Sequence, residues 1–300
     1  MCESITDNFF KNNIGVEVFY KVWQPKAAPK AHVVFCHGHG EHVSRYDQIF
    51  AKFAESNIKV LAFDQVGCGE TGKRVNDIGG AMGEEQVLRD MTFAIDLIHN
   101  PNVPLFLMGH SFGGLSAMNY ASRGEKRHLV HGAIASAPCV ELAKERLPPT
   151  FIINVLMGIS YIAPSLKLPI GVENNVLCRN KTVVESYCKD PLVFYNSALL
   201  QFRGLVFGGQ KLVTNGYKDI KVDNLLITHG TDDVITAYEA SYALAKKLKQ
   251  EKKIPNLKLK TYYGYRHELM FEPEANEVIQ NYIDWILNHL KKSDQFITLE

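Results

Sequence analysis

The hydrophobic pattern of the chain predicts an alternation of strands and helices. Short runs rich in β-branched residues predict strands at 16–23, 32–36, 59–63, 104–108, 130–136, 225–228 and 257–262. Apolar residues at helical spacing predict helices at 47–56, 84–99, 112–123, 237–248 and 274–290. Such an alternation is typical of a mostly parallel sheet, because each helix carries the chain back to the edge where the next strand starts. The predicted fold class is α/β, with a mostly parallel central sheet flanked by helices.

The alternation stops between residues 138 and 216. Apolar segments in this region lack the pattern of strands and are interrupted by five prolines, Pro148, Pro149, Pro164, Pro169 and Pro191. We expect the region to be a helical cap, or lid, inserted over the sheet. The expected division is residues 1–137 for the first part of the core, 138–216 for the cap and 217–300 for the second part of the core.

Composition and charge narrow the function classes. With 46% hydrophobic and 22% charged residues, the 300-residue chain has the composition of a globular protein with a sizeable core. Its 33 Lys and Arg residues nearly balance its 32 Asp and Glu residues, so no overall field attracts nucleic acid, and no nucleic-acid partner is expected. Six cysteines without a C-x-x-C pair, and a start without the features of an export signal, favour a reducing, cytoplasmic location.

The strongest chemical motif lies between the strand predicted at 104–108 and the helix predicted at 112–123. Gly109-His110-Ser111-Phe112-Gly113 has the form G-x-S-x-G in the strand-turn-helix setting that this motif requires. The two glycines suit a turn so tight that larger side chains would collide with it. The helix that follows directs free N–H groups toward negative charge forming beside the serine. Ser111 is the predicted nucleophile; a purely structural glycine-rich turn is the alternative.

A serine nucleophile needs a base, and the base needs a carboxylate that orients it. In this type of fold the chain order is serine, acid, histidine. His267 follows the strand predicted at 257–262, and Asp232 and Asp233 follow the strand predicted at 225–228. Sites in α/β sheets form at such carboxyl ends. His267 is the predicted base, with His229 as the second candidate, and spacing does not choose between the two aspartates.

A histidine-rich loop follows the strand predicted at 32–36. Its sequence, His37-Gly-His39-Gly-Glu41-His42, superficially matches the zinc-binding run of metallo-β-lactamase-type hydrolases. A zinc site would leave the Ser111 motif unexplained. The favoured interpretation is a glycine loop whose backbone N–H at His39 joins that of Phe112 in an oxyanion hole. No metal ligand is assigned, and no cofactor is expected.

A second glycine-rich stretch, residues 67–74, nearly matches a phosphate-binding loop. Arg74 stands where that loop needs a hydroxyl residue for magnesium, and no apolar helix follows directly. We expect the stretch to be a flexible connection after Asp64.

Taken together, these motifs resemble those of the monoacylglycerol lipases of the α/β-hydrolase superfamily. The resemblance covers nearly the whole chain and is carried by His37-Gly-His-Gly-Glu-His42 with Arg45-Tyr46, Gly109-His-Ser-Phe-Gly113, Arg179-Asn-Lys-Thr182, Asp190-Pro-Leu192 and Gly264-Tyr-Arg-His267. The family's acid is the fourth residue of a G-x-x-D turn, which implies Asp233. The resemblance also implies that Glu41 and Arg45 contact the glycerol end of the substrate. Two positions depart from the family pattern. This chain has His39 where family members often have a small residue, and Met270 where they often have a histidine. The second difference puts head-group selectivity in question.

The cap contains the most apolar segment of the chain, residues 150–163. Asn154 and Gly158 share one narrow side and large apolar groups occupy the rest, so such a helix either packs on the core or contacts lipid. Flanking prolines limit it to about 14 residues, or ~21 Å, against a hydrocarbon core of ~30 Å. We expect the cap to associate peripherally with a membrane or lipid-droplet surface and to pass an acyl chain to a tunnel above Ser111. A homodimer is compatible with the sequence.

The predicted activity is therefore that of a serine hydrolase that cleaves monoacylglycerol to fatty acid and glycerol through an acyl-enzyme intermediate. Ser111, Asp233 and His267 form the predicted catalytic triad. A lysophospholipase, a general carboxylesterase or an acyltransferase would use the same triad. A non-catalytic lipid-binding module that kept the fold is the alternative from a different class.

Overall fold

The computed structural model describes residues 2–144, 147–169 and 174–291. Its strands and helices are, in chain order, β1 (Cys2–Lys11), β2 (Glu17–Pro25), β3 (Ala31–Cys36), α1 (Asp47–Glu55), β4 (Ile58–Phe63), α2 (Gly69–Arg74), α3 (Glu84–Ile98), β5 (Leu105–His110), α4 (Phe112–Arg123), β6 (Val130–Ser136), α5 (Thr150–Ile162), β7 (Lys167–Pro169), α6 (Lys181–Lys189), β8 (Asn196–Ala198), α7 (Leu199–Thr214), β9 (Asn224–Gly230), α8 (Tyr238–Glu251), β10 (Asn256–Tyr262) and α9 (Ala275–Asn288).

The central sheet has the strand order β1-β2-β4-β3-β5-β6-β9-β10. Strand β2 runs antiparallel to both β1 and β4, and the other neighbouring strands pair in parallel. The most buried strands, such as β3, β5 and β6, have continuous apolar runs, as parallel strands covered on both faces require. The predicted mostly parallel sheet with flanking helices is confirmed.

Helices cover the sheet on both faces and bury two separate apolar layers. On one face, α1 and α9 pack on the sheet around large side chains such as Trp23, Phe50 and Tyr282. On the other face, α3, α4 and α8 pack around Met91, Leu107 and others. Helix α4 lies nearest the centre of the sheet and is almost entirely buried. It therefore holds the turn at its N-terminus in a fixed position.

Two stretches near the N-terminus differ from the sequence-based expectations. Strand β1 has no alternating apolar pattern, and it forms because it pairs antiparallel with β2, from Lys11↔Glu17 onward, as an edge strand. The predicted flexible connection at 67–74 was wrong, because residues 69–74 form α2. Asp64 accepts the N–H groups of Val43 and Glu70, at 2.8 Å each, which fixes the start of this helix.

Between β6 and β9 the described residues contain α5, α6, α7 and a small antiparallel pair of strands, β7 and β8. Helix α7 packs against α5 and the core helix α4. Helix α5 buries only Met157 and Ser160. Across residues 2–144, 147–169 and 174–291, none of the helices combines the length and apolarity needed to cross a membrane.

Candidate active site

Ser111 lies in the turn between β5 and α4, in a backbone conformation that is uncommon for serine. Its φ is +53° and its ψ is −119°, and the turn is held by hydrogen bonds from Ser111 N–H to the Ser136 carbonyl (2.9 Å) and from Cys139 N–H to the Ser111 carbonyl (3.0 Å). A Cβ on Gly109 would overlap the Gly113 carbonyl, and one on Gly113 would overlap the Cys36 carbonyl. Both glycines are thus required by the close approach of backbone, as the motif predicts.

Asp233 and His267 lie at the ends of neighbouring strands, β9 and β10, and their side chains meet. Asp233 Oδ2 lies 2.8 Å from His267 Nδ1, and Oδ1 accepts the N–H groups of Ile235 (2.8 Å) and Thr236 (3.0 Å). Asp233 is buried, whereas Asp232 is exposed and bonds to the adjacent Thr231 hydroxyl. The structure therefore pairs Asp233, and not Asp232, with the histidine.

The charges of this pair depend on one another. Burial alone would raise the pKa of Asp233, but His267 and His229 hold it well below its ordinary value. Burial alone would lower the pKa of His267, but Asp233 raises it above 6.5. The carboxylate is thus ionised and stabilises a positive charge on the imidazole, which is the function of the acid in a serine hydrolase triad.

His229, the second candidate base, lies behind Asp233. Its Nε2 is 3.0 Å from Asp233 Oδ2, and its Nδ1 is 2.8 Å from the Ser241 hydroxyl. Thr236 donates its hydroxyl to the same Asp233 oxygen at 2.8 Å. His229 and Thr236 therefore orient the carboxylate. Thr236 is not part of any sequence motif that could have predicted this contact with Asp233.

Ser111 and His267 line one partly enclosed cavity of about 120 Å³. Its apolar lining is mainly contributed by the region between β6 and β9 and by neighbouring loops: Leu142, Leu177, Phe194, Phe202, Leu205 and Ile235. His110 also lines it, with its ring centroid 4.7 Å from that of His267. Burial lowers the pKa of His110 to about 3, so this second imidazole is neutral. The cavity offers an apolar group a site beside the serine.

The loop after β3 contributes Gly38, His39, Gly40 and Glu41 to the cavity wall. Gly38 N–H donates to Glu41 Oε1 at 2.6 Å, so the next backbone donor in the loop belongs to His39. Phe112 is the first residue of α4, and its N–H has no intrahelical acceptor. The His39 ring packs edge-on against Phe194, with ring centroids 5.4 Å apart. His39 thus lines the same cavity as Ser111, and Phe112 directly follows Ser111 in the chain. Their function as oxyanion donors stays a prediction.

The three histidines of this loop have different partners. His37 Nδ1 lies 2.7 Å from the Gly38 carbonyl, and its Nε2 accepts the N–H of Gln65 at 3.1 Å. His42 Nε2 lies 2.8 Å from Asp190 Oδ2. Within the part of the chain that the structure describes, no three His, Cys, Asp or Glu side chains are grouped so that they could hold a metal ion.

The side chains of Glu41 and Arg45 are buried, and each has partners within the protein. Glu41 lines the cavity, but Arg45 is not among the lining residues. Arg45 bonds to Glu41 and to Glu268, a residue that the sequence analysis did not identify. Glu268 directly follows His267 and also lines the cavity. Direct contact of Arg45 with glycerol stays a prediction.

Comparisons with known proteins identify the family of the chain. A family model described as serine aminopeptidase, S33, matches residues 27–274. A putative monoglyceride lipase of Schizosaccharomyces pombe is 32% identical, over 93% of this chain and 73% of the relative. The chain belongs to the monoacylglycerol lipase family of α/β-hydrolases. The monoglyceride lipase of Homo sapiens is another relative, 30% identical over 92% of this chain and 88% of its own length.

Solved structures of this family show the same fold. The crystal structure of a monoacylglycerol lipase from Paleococcus ferrophilus superposes with a TM-score of 0.79, at 28% identity, over 91% of this chain and 99% of that one. The α/β-hydrolase fold predicted from the motifs is therefore confirmed.

Proposed function

We propose that this family member is a serine esterase that hydrolyses monoacylglycerol to a fatty acid and glycerol. The bond between Asp233 and His267 and the shared cavity of His267 and Ser111 support this activity. The names of its relatives support the substrate class. The apolar cavity lining suits an acyl chain.

In the proposed reaction, His267 takes the proton from Ser111 as the serine oxygen attacks the ester carbonyl. Asp233 stabilises the imidazolium, and the N–H groups of His39 and Phe112 stabilise the oxyanion. His267 then gives the proton to glycerol as it leaves. Water repeats the sequence on the acyl-enzyme and releases the fatty acid. Glu41 lies at the alcohol end of the cavity in this proposal, with Arg45 behind it.

The observation that carries the proposal is the buried pair of Asp233 and His267 opening on Ser111, and the test removes the nucleophile. Ser111→Ala is expected to keep the fold and to lose roughly a millionfold in kcat, as in other triads. Fatty-acid release from monoacylglycerol measures the loss, and circular dichroism checks the fold. A variant that retains most of its activity would refute the assignment.

A substrate panel distinguishes the proposed activity from other uses of the same triad. Monoacylglycerol, lysophospholipid, a short-chain ester and an aminoacyl amide are compared by kcat/KM, and acyl transfer to added alcohols is followed in parallel. We expect monoacylglycerol to be the best substrate. A higher value for lysophospholipid or for the short ester identifies a different esterase. Failure of a fluorophosphonate probe to label the protein would favour a non-catalytic lipid-binding module.

We also propose that residues 138–216 act as the cap and that α5 contacts lipid surfaces. Phe151, Val155 and Ile162 are 69%, 57% and 88% exposed, respectively, and Asn154 and Gly158 are exposed with them. Solvent-exposed apolar side chains along one helix are suited to insertion between lipid head groups. The peripheral contact needs no membrane-spanning segment.

A homodimer stays a prediction, and light scattering of the purified protein tests it.

Charged substitutions on α5 test this contact. Phe151→Asp with Val155→Asp is expected to lower vesicle binding and turnover of micellar monoacylglycerol about tenfold or more, since each change removes apolar area from the interface. Hydrolysis of a soluble short-chain ester is expected to change little. Asn154→Asp, on the same exposed helix, controls for added charge. Unchanged vesicle binding in the double variant would contradict the proposal.

A further inference from the structure

One buried arginine joins three segments around the cavity. Arg45 Nη1 and Nη2 donate to the two carboxylate oxygens of Glu268 at 2.7 and 2.8 Å, and Nη1 also donates to Glu41 at 2.5 Å. The guanidinium lies between the rings of Tyr187 and Phe271, 4.5 and 4.6 Å from their centroids. Only 7% of the Arg45 side chain is exposed. Its polar and flat surfaces are thus both covered by protein.

At one end, the arginine is connected to the loop proposed to hold the oxyanion. Glu41 Oε1 accepts the Gly38 N–H at 2.6 Å and the Tyr46 hydroxyl at 2.8 Å, while Oε2 accepts from Arg45. Burial alone would raise the pKa of Glu41, but Arg45 and neighbouring histidines lower it to about 2. The charged carboxylate therefore fixes the backbone of the residue just before His39.

At the other end, the arginine is connected to the catalytic histidine's loop. Glu268 follows His267 directly, and its bidentate bond to Arg45 spans 223 positions of sequence. The Glu268 N–H donates to the Leu177 carbonyl at 2.8 Å, which links the same loop to the region between β6 and β9. Burial alone would lower the pKa of Arg45, but Glu268 and Glu41 raise it well above its ordinary value. Arg45 and Glu41 are therefore both charged.

We propose that Glu41, Arg45 and Glu268, here called the arginine bridge, position the oxyanion loop relative to His267, and that Glu268 is a positioning residue for the reaction. This inference rests on the proposed function, because it assumes that the oxyanion is held at His39. A guanidinium fork paired with a carboxylate is rigid and planar, so it transmits position from one loop to the other. A misplacement of about 1 Å at such a site costs on the order of 100-fold in rate.

The arginine bridge makes a different prediction from direct contact between Arg45 and glycerol. A positioning device acts on every ester, because each forms an oxyanion and each uses His267. A contact to the alcohol acts only on substrates that contain glycerol. Two esters with the same acyl group therefore separate the two roles: glycerol monobutyrate and p-nitrophenyl butyrate.

The decisive variant is Glu268→Gln, which keeps the shape of the side chain and removes its charge. We expect kcat and kcat/KM to fall about 10- to 100-fold on both esters, with KM within about twofold of the parent value. The matched control is Glu84→Gln. Glu84 is also buried and pairs with an arginine, Arg123 at 3.1 Å, but it lies on α3 and does not line the cavity. The control is expected to lower Tm and to leave kcat per folded molecule unchanged.

Arg45→Lys provides an independent test because it keeps the positive charge and loses the fork. It is expected to show the same loss of kcat on both esters, and it decides the outcome if Glu268→Gln does not fold. A loss confined to glycerol monobutyrate and expressed in KM would overturn the proposal in favour of an alcohol-binding role. Unchanged kcat in a folded variant would also overturn it. Inactivity of the unsubstituted protein on both esters would instead refute the proposed function.

Discussion

Asparagine at position 233 would remove the negative charge that faces His267 while preserving the size of the side chain. Asp233 Oδ2 has three neighbours. His267 Nδ1 lies at 2.8 Å and His229 Nε2 at 3.0 Å, and the Thr236 hydroxyl donates to it at 2.8 Å. Asparagine has a single oxygen, so its NH₂ group must take one of the two carboxylate positions. An NH₂ group at the Oδ2 position cannot accept a hydrogen bond from His267 Nδ1–H, and the imidazole would lose both its orientation and its counter-charge.

The size of the effect follows from that loss. In a serine hydrolase triad, replacing the acid by its amide costs about 10⁴-fold in kcat. At ~1.4 kcal/mol per factor of ten, this is about 5 kcal/mol of transition-state stabilisation. The pKa of His267 is also expected to fall, because Asp233 is the main group that raises it. The acidic limb of the pH profile of residual activity therefore moves to lower pH.

The neighbouring aspartate provides the control for this experiment. Asp232 is exposed and makes a hydrogen bond with the Thr231 hydroxyl, so Asp232→Asn is expected to retain nearly full activity. Initial rates on monoacylglycerol are measured for both variants from about pH 5 to 9, the range in which an imidazole titrates. These rates compare the two positions. A loss of about 10⁴-fold in the kcat of Asp232→Asn, together with an active Asp233→Asn, would refute the pairing of Asp233 with His267.

Further predictions concern pH and packing. In the unsubstituted protein, kcat/KM is expected to rise with pH through a midpoint above 6.5. The reason is that the raised pKa of His267 keeps the imidazole protonated, and thus unable to accept the Ser111 proton, up to a higher pH. His110, with its pKa near 3, stays neutral throughout. Glu41 and Glu268 act in the same direction as Asp233 on His267, so a midpoint below 6.5 would contradict this electrostatic account. Gly113→Ala is expected to destabilise the fold by about 3 kcal/mol and to lower Tm, because its Cβ would overlap the Cys36 carbonyl. Gly158→Ala, whose Cβ meets nothing within 4 Å on α5, is expected to stabilise by up to ~1 kcal/mol, and equal Tm shifts in the two variants would contradict the packing argument.

Much of the fold was predictable because its signals are local. Ser111 and Asp233 follow the buried strands β5 and β9, and His267 follows the alternating strand β10. Helix α4 has the predicted bounds, Phe112–Arg123. Strand β1 was missed because an edge strand with polar residues gains its stability from a partner strand. Helix α2 was missed because its start is fixed by Asp64, whose carboxylate lies outside the glycine-rich stretch.

The candidate site was predictable in its chemistry but not in all of its contacts. Residue types and order indicated a nucleophile and a base, yet spacing left Asp232 and Asp233 equivalent. The family resemblance implied Asp233, and the three-dimensional direction of the two side chains supplies the physical reason. The family resemblance placed Arg45 near the glycerol end of the substrate. Its bond to Glu268 could not be predicted, because the two residues are 223 positions apart and no motif connects them. Long-range pairs of this kind depend on how the loops are brought together.

Trapping the covalent intermediate is the sharpest test of Ser111 as the nucleophile. The protein is mixed with p-nitrophenyl butyrate, quenched in acid within the first turnover and digested, and the peptides are weighed by mass spectrometry. We expect one butyryl group on Ser111, and a Ser111 adduct that forms far more slowly in His267→Ala. A butyryl group found on another residue, or steady hydrolysis without any acylated Ser111, would refute the assignment of the nucleophile.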